Sequence, residues 1–154
     1  MANIRSTSAL APYLPEENRG NVEYALRRMQ RVGRTQTVMA ENLRRVHAAG
    51  ITVATATDAG NPLTLHGPSI HNEMEAMQAA GLSPRAIVVM STRNGARAME
   101  REGDFGTLEA GKLADLLILR DDPTEDVRAF RSLTHVMRAG VLHERAALAY
   151  RPGA

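Results

Sequence analysis

Apolar positions in the first half of the chain recur at helical spacing. After Asn21, the residues Val22, Ala25, Leu26, Met29 and Val32 fall on one helical face, and Gly33 is placed to stop that helix. A second helix is predicted over Thr37 to Ala49, with Val38, Met39, Leu43 and Val46 inward and Gly50 as its stop. The pattern then changes to the β-branched run from Ile51 to Thr57, closed by the turn formers Asp58, Gly60, Asn61 and Pro62, which predicts a strand running into a loop. Ile70, Met74 and Met77 before Gly81 predict the next helix, with Ser69 as its N-cap. Ser83 and Pro84 open another helix, since serine caps and proline tolerates the first turn, where its missing N–H costs nothing. A short helix follows from Thr92 to Met99, with Ala96 and Met99 inward. Beyond Gly103 helical spacing gives way to apolar runs at Leu113 to Leu119 and at Leu133 to Leu142 around Gly140, and both read as strands. The change places a domain boundary near Gly103 to Gly106, dividing the chain into residues 1–104 and 105–154.

Composition narrows the class without naming a function. Hydrophobic residues make up 44% and charged residues 23%, far from the polar, highly charged range in which chains stay disordered. Aromatic content is only 3% with no Trp, so the core must be built from Leu, Val, Ile, Met and Ala. The formal net charge is +2, and Lys112 is the sole lysine among 19 basic residues. The densest basic run, Arg27, Arg28, Arg31 and Arg34, has only Tyr24 as an aromatic neighbour, so a solvated helix face explains it better than nucleic-acid binding. Zero cysteines exclude disulfides, thiolate metal sites and a cysteine nucleophile. No apolar run reaches the roughly 18 residues of a membrane span, and Met1 to Gly20 lacks a signal-like apolar core, so the expected location is cytoplasmic, with no membrane partner.

Three blocks of residues carry a family resemblance. Thr57-Asp58-Ala59-Gly60-Asn61-Pro62, followed by His66-Gly67-Pro68-Ser69 and Glu73, is similar to the eighth-strand segment of the metal-dependent amidohydrolases, where the motif reads Gly-Thr-Asp-Ala-Gly. Gly81-Leu82-Ser83-Pro84, leading to Ser91-Thr92-Arg93-Asn94-Gly95-Ala96, resembles the family's second block. Gly106-Thr107-Leu108-Glu109-Ala110-Gly111-Lys112-Leu113-Ala114-Asp115 resembles its Gly-Thr-Leu-x-x-Gly-Lys-x-Ala-Asp signature. Asp122-Pro123 and the run from Val136 to Gly140 complete the pattern. Three blocks in order are far more specific than any one of them. One departure is Ala56, which stands where the family usually has Gly.

The resemblance implies an α/β fold: the C-terminal portion of a (β/α)8 TIM-type barrel over residues 1–104, and part of a small composite β-sandwich over 105–154. A whole barrel takes around 250 residues, so an incomplete barrel is expected, from a truncated product, an excised piece or one subunit of a split enzyme. The branch most similar is that of imidazolonepropionase-like and Xaa-Pro dipeptidase-like enzymes, hydrolases of C–N bonds in small amide, cyclic amide or peptide-like substrates. By that resemblance Asp58 is both a metal ligand and the catalytic proton shuttle between metal-bound water and the leaving nitrogen. The competing reading is that Asp58 accepts backbone N–H bonds in a Gly-rich turn.

Other residues carry weaker expectations. His66, Asn61 and Gly67 are the candidate substrate-binding residues, with an exposed loop histidine as the alternative for His66. Ser69, Thr92 and Asn94 are better read as helix caps, His71 as exposed, Glu73 as a solvated charge or a partner for the loop, and Lys112 as part of a structural turn. The family takes a His-x-His pair from its first strand, and no such pair occurs in this sequence. A catalytic zinc usually needs three protein ligands. Four residues lie between His66 and His71, a gap that suits neither a helix face nor a strand face, so Asp58, His66 and His71 make a poor self-contained site. Zinc or another divalent metal is therefore expected in the complete enzyme and not tightly bound by this chain alone. The alternative is a non-catalytic interaction module that docks on a partner chain or forms a homo-oligomer.

Overall fold

The computed structural model describes residues 33–60 and 64–148. The helix predicted from Asn21, the basic run from Arg27 to Arg31, and Asn61 lie outside the described residues. The chain divides into two compact units, one of Met1–Ile51 with Ala56–Gly81, the other of Thr52–Thr55 with Leu82–Ala154.

The first unit contains α1 (Gly33–Ala48) and α2 (Pro68–Ala79). Gly33, expected as a stop, is itself helical. Helix α1 ends as predicted at Gly50, whose positive φ of 75° only glycine adopts freely, with its N–H on the His47 carbonyl. The expected inward face of α1 is not buried: Val38 and Met39 are more than half exposed, Val46 is exposed, and Leu43 is half-buried. Spacing shows which residues share a face, and burial needs a covering element as well. A Glu41–Arg45 pair one turn apart supports this helix at 3.0 Å, while Arg44 Nη1 donates to the Ala80 carbonyl at 2.7 Å at the far end of α2. Helix α2 buries Met74 and Met77, and Gly81, with a φ of 98°, follows it.

The second unit begins with α3 (Pro84–Ser91) and α4 (Arg93–Ala98). Ser83 caps α3 as predicted, its Oγ accepting from the Ala86 N–H at 3.2 Å with Pro84 in the first turn. Ile87, Met90 and Ala96 are buried, together with Leu82, Val127 and Ala129. Met99, expected inward, is 60% exposed because α4 ends one residue before it. Three antiparallel strands follow in the order β1 (Leu116–Leu119), β2 (Leu133–Arg138), β3 (Val141–Glu144). Leu117, Val136 and His143 stand side by side, and Leu116, Met137 and Leu142 do so on the opposite face. A bulge shifts the register between Ile118 and Leu119.

Strand β1 is shorter than the apolar run from Leu113, and the reason lies in the residues before it. Asp115 folds back instead of continuing the strand: it accepts from the Ala139 N–H at 2.6 Å and from Arg138 Nη1 at 2.9 Å, while the Gly140 N–H reaches the Ala114 carbonyl at 3.0 Å. These bonds secure a two-residue hairpin turn in which Ala139 (φ 49°) and Gly140 (φ 82°) are both left-handed, the backbone that matches strand twist. Ser132, buried, closes the other end of β1, accepting from the N–H groups of Arg120 and Asp121 and donating to the Ala129 carbonyl. Lys112 has the structural role expected of it. Its Nζ donates to Thr107 Oγ1 and lies 3.5 Å from Glu109 Oε2, across a turn that Gly111 makes at a φ of 89°. The Thr107 hydrogen bond, then the Lys112 charge, hold the Glu109 carboxyl below its ordinary range.

Candidate active site

Residues 51–60 contain Asp58, the expected catalytic residue, and their exposure alternates with period two. Val53, Thr55, Thr57 and Ala59 are half-buried, while Thr52, Ala54, Ala56 and Asp58 are exposed, the signature of an extended chain. No described strand pairs with Ile51 to Thr57, so the predicted strand is an extended segment without a ladder. A β-branched run specifies the extended backbone, and a ladder requires neighbouring strands as well.

Bonds from the α3–α4 junction hold part of this segment within the second unit. Asn94 Nδ2 donates to the Val53 carbonyl at 2.8 Å, the Thr55 N–H donates to the Met90 carbonyl at 3.3 Å, and the Thr55 and Ser91 hydroxyls meet at 2.8 Å. Thr92 occupies the N-cap position of α4 as expected but makes no side-chain capping bond, and Asn94, expected as a cap, lies inside that helix. Asn94 reaches back 41 residues, and Thr92 Oγ1 donates to the Val88 carbonyl one turn earlier. A polar side chain near a helix start reads locally as a cap, and sequence alone does not reveal a distant carbonyl in need of a donor.

In the first unit, Asp58 is exposed and adopts a φ of 51°, a left-handed backbone that aspartate tolerates better than most residues. Gly60, at a φ of 110°, donates to the Thr64 carbonyl at 3.0 Å and closes the turn. His66 is exposed and its imidazole comes back to that turn, since a Cβ added at Gly60 would meet His66 Nε2 at 4.0 Å. Gly67, at a φ of 83°, is the residue before α2, and Pro68 opens that helix. Ser69 is therefore inside the first turn and does not cap it; its Oγ accepts instead from the Leu65 N–H at 2.8 Å and ties down the loop carrying His66. His71, expected at the surface, is half-buried with its Nδ1 out of contact with solvent. Glu73 is exposed, yet the atoms crowding its carboxyl hold it above its ordinary range by desolvation.

Asp58 and His66 thus share one turn and loop, with an ionisable carboxylate and an imidazole both reachable from solvent. Such a pair can exchange protons with water or with a substrate heteroatom. Among the described residues no three His, Asp or Glu side chains come together as metal ligands.

A model of the amidohydrolase family matches residues 14–142. The chain belongs to the amidohydrolase family. Among its relatives is the imidazolonepropionase of Aromatoleum aromaticum, 47% identical over 83 residues, which are 53% of this chain and 20% of that protein. Two amidohydrolase-type structures superpose well. A Xaa-Pro dipeptidase with bound methionine is 28% identical with a TM-score of 0.60, over 68% of this chain and 25% of the other. Phenylurea hydrolase B is 32% identical with a TM-score of 0.60, over 74% and 29%. The imidazolonepropionase-like and Xaa-Pro dipeptidase-like branch expected from the sequence is therefore the one its relatives occupy. The chain spans about a fifth of the length of the curated relatives it matches. The amidohydrolase relationship gives a mixed α/β fold of the TIM-barrel type, of which this structure contains a part with a three-stranded sheet. Among the described residues no helix is long and apolar enough to cross a membrane.

Proposed function

We propose that this chain contributes the last barrel strand and its loop to a hydrolase of C–N bonds in amide, cyclic amide or peptide-like substrates. Asp58 is its proton-carrying residue. The observation that carries this reading is the left-handed backbone of Asp58, directly after an extended segment, in a chain of the amidohydrolase family. Strained non-glycine backbone costs on the order of 1–3 kcal/mol and is found most often where function needs the side chain. A carboxylate there removes a proton from the attacking water and returns it to the leaving nitrogen, a general acid–base role. In this reading His66, Asn61 and Gly67 are the substrate-binding residues. In this reading residues 1–104 belong to the barrel and 105–154 to the sandwich. The family is generally metal-dependent, and a divalent ion such as zinc, with Asp58 among its ligands, belongs to the complete enzyme, with the other ligands contributed by residues beyond those described.

The experiment has two arms. Purified chain is assayed for zinc and for hydrolysis of Xaa-Pro dipeptides and cyclic amides, and neither stoichiometric zinc nor turnover is expected. The aligned segment is then exchanged into the Aromatoleum imidazolonepropionase, where turnover is expected to return. Turnover with bound zinc in the isolated chain would overturn the inactivity, and a dead but folded exchange protein would overturn the assignment of the segment.

A second reading, an interaction module that docks on a partner chain or a second copy, is favoured by one observation. Both faces of the small sheet expose large apolar residues, Leu117 and Val141 on one, Ile118 and Leu142 on the other. Light scattering distinguishes it, because a docking module associates as concentration rises and a monodisperse monomer contradicts it.

A further inference from the structure

We propose that Ser69 is a positioning residue for His66, clamping the two peptide planes before the histidine so that its imidazole stays against Gly60 of the Asp58 turn. This inference rests on the substrate-binding role argued for His66. All of these residues belong to the first unit.

A peptide group is planar, so bonds to its carbonyl and its N–H fix the whole group. The Thr64–Leu65 peptide is held at both ends. Its carbonyl accepts from the Gly60 N–H at 3.0 Å, and its N–H donates to Ser69 Oγ at 2.8 Å. One rigid plane therefore joins the turn after Asp58 to the first turn of α2. The next plane, Leu65–His66, carries the histidine's own N–H, and its carbonyl accepts from the Ser69 N–H at 3.3 Å. Ser69 thus bonds both backbone groups of Leu65, with the reciprocity of a capping box. On the far side of His66 the Gly67 carbonyl accepts from the Ile70 N–H at 3.3 Å.

With the backbone held on both sides, the exposed His66 keeps only its side-chain torsions, and Nε2 comes to 4.0 Å from where a Gly60 Cβ would stand. A group that meets substrate must be held within about 0.5 Å of its productive position. The Ser69 N–H bond survives any side chain except proline's, so the hydroxyl's own contribution is its hold on the half-buried Thr64–Leu65 plane.

NMR of the full chain tests this with Ser69→Ala and with the shape-matched pair Ser69→Thr and Ser69→Val, of which only threonine keeps the hydroxyl. Loss of the bond predicts Leu65 amide exchange about five- to tenfold faster in the alanine and valine variants, and close to the parent rate with threonine. The nuclear Overhauser contact between the His66 ring and the Gly60 Hα should weaken in the same two variants and persist with threonine. A contact unchanged in all three variants, or lost only together with the Met77 resonances of α2, would overturn the proposal. Should Ser69→Ala not fold, the threonine and valine variants decide the matter alone. In the exchanged enzyme Ser69→Ala is expected to raise KM about three- to tenfold with kcat held, and a fall in kcat at constant KM would also count against it. A KM that ignores Ser69→Ala while the His66 contact is lost refutes the role of His66 and leaves the positioning standing, so the two failures are distinguishable.

Discussion

Replacing Gly106 with alanine tests the packing that joins the helical part of the second unit to the turn before its sheet. Gly106 has a φ of 99°, and a Cβ there would lie 2.6 Å from Ala96 Cβ, 3.1 Å from the Thr92 carbonyl oxygen and 3.2 Å from Arg93 Cα. Carbon atoms in contact normally sit about 3.5–4.0 Å apart, so the nearest overlap is about 1 Å. Ala96 has no solvent exposure, and two of the three obstructing atoms are backbone, so no flexible side chain can yield. Left-handed backbone costs an L-residue about 1–2 kcal/mol, and overpacking a tight site costs about 1–3 kcal/mol more. The sum, about 2–5 kcal/mol, is a large share of the roughly 5–15 kcal/mol that holds a domain folded. Urea unfolding followed by circular dichroism should show the midpoint lowered by about 1–3 M at ordinary slopes. Adding Ala96→Gly removes the 2.6 Å contact and should recover part of the loss, leaving the backbone cost. An alanine variant within about 0.5 kcal/mol of the parent, or no recovery in the double variant, would refute the reasoning.

Three further expectations follow from the local geometry. Ala139→Asn places a residue suited to left-handed backbone ahead of Gly140 and should stabilise the hairpin by about 0.4–1 kcal/mol, measured as a rise in the urea midpoint; a fall would contradict the turn assignment. Glu73→Gln should stabilise the chain at pH 7. The folded-state carboxyl titrates above its ordinary 4.5, so the wild-type protein loses stability as pH rises through and beyond that value, and the advantage of glutamine should vanish below pH 4.5; a pH-independent difference would exclude this cause. Glu109 shows the opposite sign. Its carboxyl titrates below 4.5, so its contribution is present above that value and fades as pH falls through the folded pKa, and thermal melts of Glu109→Gln should meet those of the parent in acid.

The sequence made the ends of elements more legible than their faces. Gly50, Ser83 with Pro84, and the Gly140 turn act through backbone conformation and local hydrogen bonds, which neighbouring residues determine. Val38, Met39 and Met99 have the right spacing for burial but are exposed, because burial depends on elements that no local pattern reports. The Ile51–Thr57 segment is extended as its residues dictate, yet its ladder depends on partners from elsewhere. Asp58 and His66 were visible through the motif, whereas the Asn94 bond to the Val53 carbonyl spans 41 residues and Asn94 read locally as a cap. Asp115 looked like a break in an apolar run, and its role appears only when the hairpin turn folds onto it.

The measurement that bears most directly on the account is the kcat of the exchanged imidazolonepropionase carrying Asp58 against the same protein with Asp58→Asn. Asparagine tolerates the left-handed backbone and keeps the shape but cannot carry the proton. The Asp58→Asn protein should show a kcat lower by about 10²- to 10⁴-fold with the fold intact. A kcat unchanged by the substitution would contradict it.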